Sequence, residues 1–399
     1  MRTDRFLIAA LATASFAVLY SSGVIAPLVT QMAAEFDATA GNIGIAAAAY
    51  ALPGILMGAL AGPFSDRYGR RPFLVGGLVV LGVCTILSAF APTLLIVTAL
   101  RCAAGFGATI VLPNMMAAAA DRFVGGRRAR VISTLFVANT LGGLTGITAS
   151  GIVAQHFGWR VALVIAGTVA LGAGVAVSVT PLEHVARGNV AFFGQLRRVV
   201  RDRSTVALLG SNYFGAMALQ TWSLYMVVFF ERQYGLARDI ASTYALAQGA
   251  GLLVGTQLGP NLVARAGPRV SLAISLAGYG VVLVALTNAQ PALAVAVAAV
   301  LGASILYGLR ATSNAVLMTE QLPVARSTVL GLSQTGVAAA NATSATAGGL
   351  ALDALGFPAI GALCLVSAAV SAALVIGMVK EFDRAGAAAS GTGPIVPTT

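Results

Sequence analysis

Twelve apolar runs, each about 18–25 residues long as a ~30 Å hydrocarbon core requires, follow one another along this chain with short loops between them. The first six fall near 6–29, 43–64, 73–90, 94–118, 131–154 and 161–180. The second six fall near 206–230, 241–263, 270–287, 292–317, 328–351 and 357–379. Runs of this length without strict alternation predict membrane helices and not barrel strands. The expected fold class is therefore all-α and integral to the membrane, with twelve transmembrane helices, which the internal repeat described below divides into two pseudo-symmetric six-helix bundles. Composition agrees: 58% of residues are hydrophobic and 9% charged, whereas a soluble domain carries about 25% charge. The run after Arg2 and Arg5 continues to about Val29, too long for a signal-peptide core, and reads as an uncleaved first helix.

The loops fix an expected orientation. With the N-terminus inside, nineteen of the 24 Lys and Arg fall in cytoplasmic segments; Arg160, Arg232 and Arg238 fall outside, and Arg101 and Arg310 lie within spans. That asymmetry predicts a multi-pass protein of the plasma (inner) membrane with both termini in the cytoplasm. It also accounts for the net charge of +11 without nucleic acid, because the arginines form no single patch with interleaved aromatics. Cys84, Cys102 and Cys364 sit inside apolar runs, and His156 and His184 stand far apart. No metal site, disulfide framework or cofactor is expected.

The chain divides as 1–182, a first six-helix bundle; 183–204, a cytoplasmic linker; 205–384, a second bundle; and 385–399, a disordered tail. The linker reads as partly an amphipathic helix against anionic headgroups. The bundles are related in sequence. Gly255-x3-Gly259-Pro260 repeats Gly58-x3-Gly62-Pro63, and Gly158 recurs as Gly356. Such halves belong to parallel-repeat transporters, with the substrate held between them near the midplane.

Between the second and third runs stands Gly58-x3-Gly62-Pro63-x2-Asp66-Arg67-x-Gly69-Arg70-Arg71. This run resembles the loop signature of the major facilitator superfamily. Leu100-Arg101-Cys102-Ala103-Ala104-Gly105-Phe106-Gly107-Ala108 is similar to the family's second signature. The resemblance implies the major facilitator fold and transport by alternating access. It implies gating roles for Gly58, Gly62, Asp66, Arg67, Gly69, Arg70 and Arg71, with Arg130 as a physically reasonable partner for Asp66. It associates Arg101 with proton coupling. The run Gly142–Gly151 is similar to the antiporter signature, but Ile147 stands where that signature has proline, which removes the expected kink.

A charge inside the bilayer costs at least about 2.5–3.5 kcal/mol, so Arg101 is expected to face a cavity or a partner. Arg310, in the inner part of the tenth run, either does the same or snorkels to the cytoplasmic surface. All thirteen acids lie at run ends, loops or termini. A cavity without a carboxylate suits neutral or anionic substrates, and it leaves the proton carrier open among Glu35, Asp37, Glu231, Asp121 and Glu320. By the resemblance, runs one, four, seven and ten line the path. Their polar and aromatic residues are the substrate candidates: Tyr20, Ser22, Asn114, Asn212, Gln220, Trp222, Tyr225, Tyr307 and Asn314. Any of these can instead be an interhelical hydrogen bond.

The function expected is a secondary active transporter, and not an enzyme. The first reading is proton-coupled efflux, by a monomer, of a small organic compound such as a drug, sugar or metabolite, of the kind that underlies drug resistance. The alternative is an uptake permease for a small organic anion, supported by Arg101, Arg310 and the missing central acid. A membrane receptor or enzyme on a similar scaffold is the remaining class, and no spaced catalytic cluster supports it.

Overall fold

A computed structural model describes residues 2–57, 65, 69–123, 125–180, 192–320 and 326–379. The first run is a bent rod: α1 (Arg2–Gly23), a 3-10 turn (Ala26–Leu28) that places Pro27 early in the turn, and α2 (Val29–Glu35). Then come α3 (Ala40–Met57), α4 (Arg70–Ser88), α5 (Leu94–Arg122), α6 (Gly125–Phe157) and α7 (Trp159–Ser178). A short helix, α8 (Phe192–Arg201), precedes α9 (Arg203–Tyr234), α10 (Arg238–Ala289), α11 (Leu293–Glu320), α12 (Arg326–Leu355) and α13 (Phe357–Met378).

Among the described residues nine helices are long and apolar enough to cross a membrane. One of them, α10, has 52 residues and non-helical backbone at Gly267. A straight helix of that length would reach about 78 Å, more than twice the hydrocarbon core, so its two limbs are the eighth and ninth spans. With α3 and α12 included, the spans number twelve. Large apolar side chains such as Val83, Leu253, Ile274, Val281 and Val366 stand exposed along them. Water would not tolerate so extensive an apolar surface, and lipid does.

Sequence repetition becomes geometric repetition. Gly69 and Gly267 open the third and ninth spans with φ of 89° and 75°, and Gly158 and Gly356 open the sixth and twelfth with 85° and 75°. Only glycine adopts these angles without strain. Arg71 donates to the carbonyl of Ser178, at the end of α7. Arg269 does the same to Ile376 and, at 3.0 Å, to Val375, at the end of α13. A cation on the last carbonyls of a helix satisfies acceptors that have no intrahelical donor.

The halves meet along two seams, α3 with α12 and α6 with α10. Both run antiparallel and both are lined by small residues. Ala48, Ala51, Ala342 and Ala345 form one buried cluster. A Cβ on Gly41 would stand 3.1 Å from the Gly349 carbonyl, and one on Gly44 would stand 2.6 Å from the Ala345 oxygen and 2.3 Å from Tyr225 Oη. On the second seam Ser242 fills the space beside Gly151, and Thr148 Oγ1 donates to the Ser242 carbonyl at 3.3 Å. Close backbone approach is what holds helices together in lipid, where apolar burial drives nothing.

These contacts concentrate at the end of the bundle remote from Arg2 and Met378, called the far end below. Gly44→Leu is expected to wedge the first seam apart. Measured as reaction of an Ala48→Cys reporter with a membrane-impermeant maleimide from the far side, labelling should rise about tenfold or more, a shift of ~1.4 kcal/mol. Unchanged labelling would show that the seam yields elsewhere.

Candidate substrate site

In the second half, one helix face carries the site. Tyr307, Arg310 and Asn314 are spaced three and seven residues apart on α11, which puts them on one side. Asn212 on α9 stands opposite. Arg310 donates to Asn212 Oδ1 at 3.0 Å and to its carbonyl at 3.3 Å, and to Tyr307 Oη at 2.6 Å. Asn314 Nδ2 reaches the same Asn212 Oδ1 at 3.1 Å, and Asn212 Nδ2 donates to Ser333 Oγ on α12 at 3.0 Å. The guanidinium fits because residue 215 is glycine: a Cβ there would lie 2.6 Å from an Arg310 nitrogen. Arg310 is 4% exposed. It does not snorkel.

Among the described residues, the cluster holds no negative charge. Every acceptor around Arg310 is a neutral oxygen, and its Nε has no partner. Asn314 Oδ1 is likewise buried and unserved. A buried cation without a counter-ion is costly, because dipoles replace its lost hydration only in part.

The first half holds its arginine differently. Arg101 on α5 is 1% exposed. It donates to the Ser21 carbonyl at 3.0 Å and lies 4.3 Å over the Tyr50 ring. Tyr50 Oη donates to the Val18 carbonyl at 3.2 Å, and Ser21 Oγ pairs with Thr85 Oγ1 at 3.3 Å. Arg101 therefore ties α1 and α3 to α5. Among the described residues it too has no carboxylate partner.

Of the other candidates, Asn114 is buried and donates to Ile110 in its own helix at 2.8 Å, which leaves its Oδ1 unpaired. Tyr20 is buried and stacks on Phe16 with centroids 5.7 Å apart. Ser22 and Gln220 are half-buried and bond to neither arginine. Trp222 and Tyr225 are fully buried in packing. Trp222 lies 5.4 Å from the Phe229 ring, and Tyr225 Oη donates to the Ala345 carbonyl at 2.7 Å beside Gly44. Asn212, Tyr307, Arg310 and Asn314 thus come together, whereas the two seventh-span aromatics belong to the core and the seam. Tyr50, Ser21, Ser333 and Gly215 were not legible as partners. Tyr50 alone carried a signal, as a lone phenol in an apolar run.

Of the gating residues, Gly58, Gly62, Asp66 and Arg67 lie outside the described residues. Gly69 precedes α4. Arg70 pairs with Asp121 at 2.5 Å, both side chains 10% exposed. Arg130 is exposed, and its carbonyl accepts from Thr134 Oγ1 at 3.0 Å.

The family profile described as Major Facilitator Superfamily matches residues 11–260. The chain is 30% identical over 162 residues to the inner membrane transport protein YnfM of Escherichia coli K12, covering 40% of this chain and 37% of that one. It is 31% identical over 150 residues to the 4-hydroxybenzoate transporter PcaK of Pseudomonas putida, covering 37% and 33%. These matches therefore span about a third of either relative. In fold, it aligns with a bacterial homolog of the human lysosomal transporter Spinster in an inward-facing, occupied conformation, with a TM-score of 0.76, 17% identity and 94% of each chain covered. That structure shares the fold nearly end to end, and more than half of the sequence fits the family profile: the chain belongs to the Major Facilitator Superfamily.

Proposed function

We propose that this transporter carries a small organic anion inward across the plasma (inner) membrane, as a monomer and in symport with protons, with Arg310 as the anion's anchor. One observation carries the reading: Arg310 is buried in a ring of neutral oxygens, with no carboxylate bonded to it. A carboxylate substrate would supply the missing charge through a charge-assisted bond, about twice the strength of a neutral one. The name of PcaK, an aromatic hydroxy acid transporter, agrees. On the arginine asymmetry, the closed far end is taken as the outer side and the near end as the cytoplasmic side.

The efflux reading rests on the likeness of the Gly58–Arg71 and Arg101 runs to the drug and metabolite efflux branch of the family, whereas the Gly142–Gly151 run has Ile147 where the antiporter signature has proline. There α6 runs as one helix from Gly125 to Phe157 and contains no proline to kink it. That favours uptake over obligatory antiport.

The test is flux into proteoliposomes with an inside-alkaline gradient. The panel holds 4-hydroxybenzoate, benzoate, an uncharged nucleoside and a quaternary ammonium cation. Accumulation of the monoanions, collapsed by an uncoupler, is expected. Preferential flux of the nucleoside or the cation, or anion extrusion driven by the gradient, would overturn the reading.

A further inference from the structure

Three carboxylates of the second half meet three donors of the first half at the far end. Glu231, in the last turn of α9, accepts from Thr30 Oγ1 on α2 at 2.9 Å. It also lies 2.9 Å from Nε of Arg238, the first residue of α10, and Arg238 donates to the same Thr30 at 2.5 Å. The Glu231 and Arg238 side chains are only 12% and 11% exposed. Asp353, near the end of α12, accepts the backbone N–H of Gly41 at 3.0 Å. Asp239 stands 4.0 Å from His156 Nε2 at the end of α6.

The Thr30–Glu231, Arg238–Thr30, Gly41–Asp353 and His156–Asp239 contacts cross between the halves, whereas Glu231–Arg238 lies within the second half and holds both groups against Thr30; together they ring the far end of both seams and of the α2–α9 junction. Near-end ion pairs among the described residues behave otherwise. Arg70–Asp121, Arg122–Asp4 and Arg127–Asp4 all stay within the first half.

We infer that Glu231, Asp239 and Asp353 form a proton-sensitive latch: ionised, they hold the far end shut, and protonated, they release it. An ionised carboxylate only accepts, and its bonds to Arg238, Thr30 and the Gly41 N–H are charge-assisted. Protonation weakens the Glu231–Arg238 pair that seats both groups on Thr30 across the junction, and it puts a donor where Thr30 and the Gly41 N–H need an acceptor. The groups facing each acid are few. Glu231 faces Arg238 on α10 and Thr30 on α2, with Arg232 beside it on its own helix. Asp353 faces Gly41 and the Tyr225 phenol. Asp239 faces His156. Only His156 works in the opposite sense, because its own protonation strengthens the contact to Asp239. That contact is long, and His156 is 59% exposed, so Glu231 dominates. Protons arriving from outside therefore favour the outward-open state. The latch acts on the closure itself and holds for any substrate.

The full-length chain tests this with two cysteine reporters. Ala48→Cys sits under the closed α3–α12 seam, 4% exposed. Gln334→Cys, toward the near end of α12, is exposed in this conformation. Each is labelled with an impermeant maleimide from its own side, in right-side-out or inverted vesicles. Rates are corrected for native Cys84, Cys102 and Cys364 in the parent and normalised to free glutathione at the same pH.

Lowering the outside pH from about 7.5 to about 4.5, into the carboxylate range, should raise Ala48→Cys labelling and lower that of Gln334→Cys, each about fivefold or more. Glu231→Gln should show the acid behaviour already at neutral pH and lose most of the pH response. Asp353→Asn should shift both reporters in the same directions by less. Labelling equal to the parent in Glu231→Gln, or a rise at both reporters, overturns the latch, because a merely loosened fold exposes both sides together. If Glu231→Gln yields no monodisperse protein, Asp353→Asn and the parent's own pH response decide by the same criterion.

Discussion

Arg310→Gln is expected to abolish anion transport and to leave the protein at least as stable as the parent. The two halves of that result come from the same physics. With no anion bound, the Arg310 charge is buried against neutral oxygens of Asn212 and Tyr307, and removing it relieves an uncompensated desolvation cost. Asn212 Oδ1 still receives Asn314 Nδ2 at 3.1 Å, so the α9–α11 contact survives. With the anion bound, the sign reverses. Removing one partner of a buried pair costs about 3–5 kcal/mol, which is at least a hundredfold in apparent affinity. Arg310→Lys keeps the charge but cannot reach Asn212 and Tyr307 at once, because it lacks the fork, so intermediate transport is expected. Thermal unfolding in detergent and proteoliposome uptake, run on the same preparations, give the two readouts. Parent-like transport by Arg310→Gln sinks the anchor. A large fall in its melting midpoint would make Arg310 a structural residue.

The sequence carried the membrane topology because lipid admits few solutions. Twenty apolar residues must be a helix, and short basic loops must stay inside. The structure added length at most span ends, with α6 running from Gly125 to Phe157 against an expected 131–154, because helices continue past the hydrocarbon edge into the interface. It also joined the eighth and ninth spans through a single non-helical residue, Gly267, a tight break that a hydropathy pattern cannot distinguish from a loop. Arg101 and Arg310 were legible as costly residues, and Asn212, Tyr307 and Asn314 as polar residues on path-lining spans. Their assembly into one cluster was not legible, since nothing along the chain states that residue 212 faces residue 310. Trp222 and Tyr225 show the converse. A large aromatic on a path-lining span looks the same in sequence whether it faces the cavity or, as Tyr225 does, fills the notch left by Gly44 and Gly349. The far-end latch escaped for a similar reason: Asp239 and Asp353 read as loop acids, and Glu231 as one of five possible proton carriers, until the fold supplied their partners.

Gly105→Ala is expected to cost the fold. The Gly105 backbone touches that of Tyr50 so closely that a Cβ would stand 1.8 Å from the Tyr50 carbonyl oxygen, 2.6 Å from its carbon and 2.9 Å from its Cα. All three atoms are backbone, so no rotamer change relieves the clash, and α3 and α5 must part by roughly an ångström or more. Ordinary overpacking costs about 1–3 kcal/mol, and a helix-to-helix displacement in a close-packed interior exceeds that. A second loss follows from the same movement. Arg101 lies one turn before Gly105 on α5, and its charge rests on the Tyr50 ring at 4.3 Å. Moving Tyr50 away strips the cation–π contact from a guanidinium that has no carboxylate partner, at a depth where such contacts are worth about 2 kcal/mol or more. Size-exclusion chromatography of Gly105→Ala should show little or no monodisperse protein. Gly172→Ala, in α7, is the control: nothing lies within 4 Å of its added Cβ, and alanine favours helix by about 1 kcal/mol over glycine. It should be as stable as the parent or more so. A monodisperse, transporting Gly105→Ala variant would show that α3 can slide on α5. In that case the glycine of the Arg101–Gly105 signature would serve motion between these helices instead of their fixed contact.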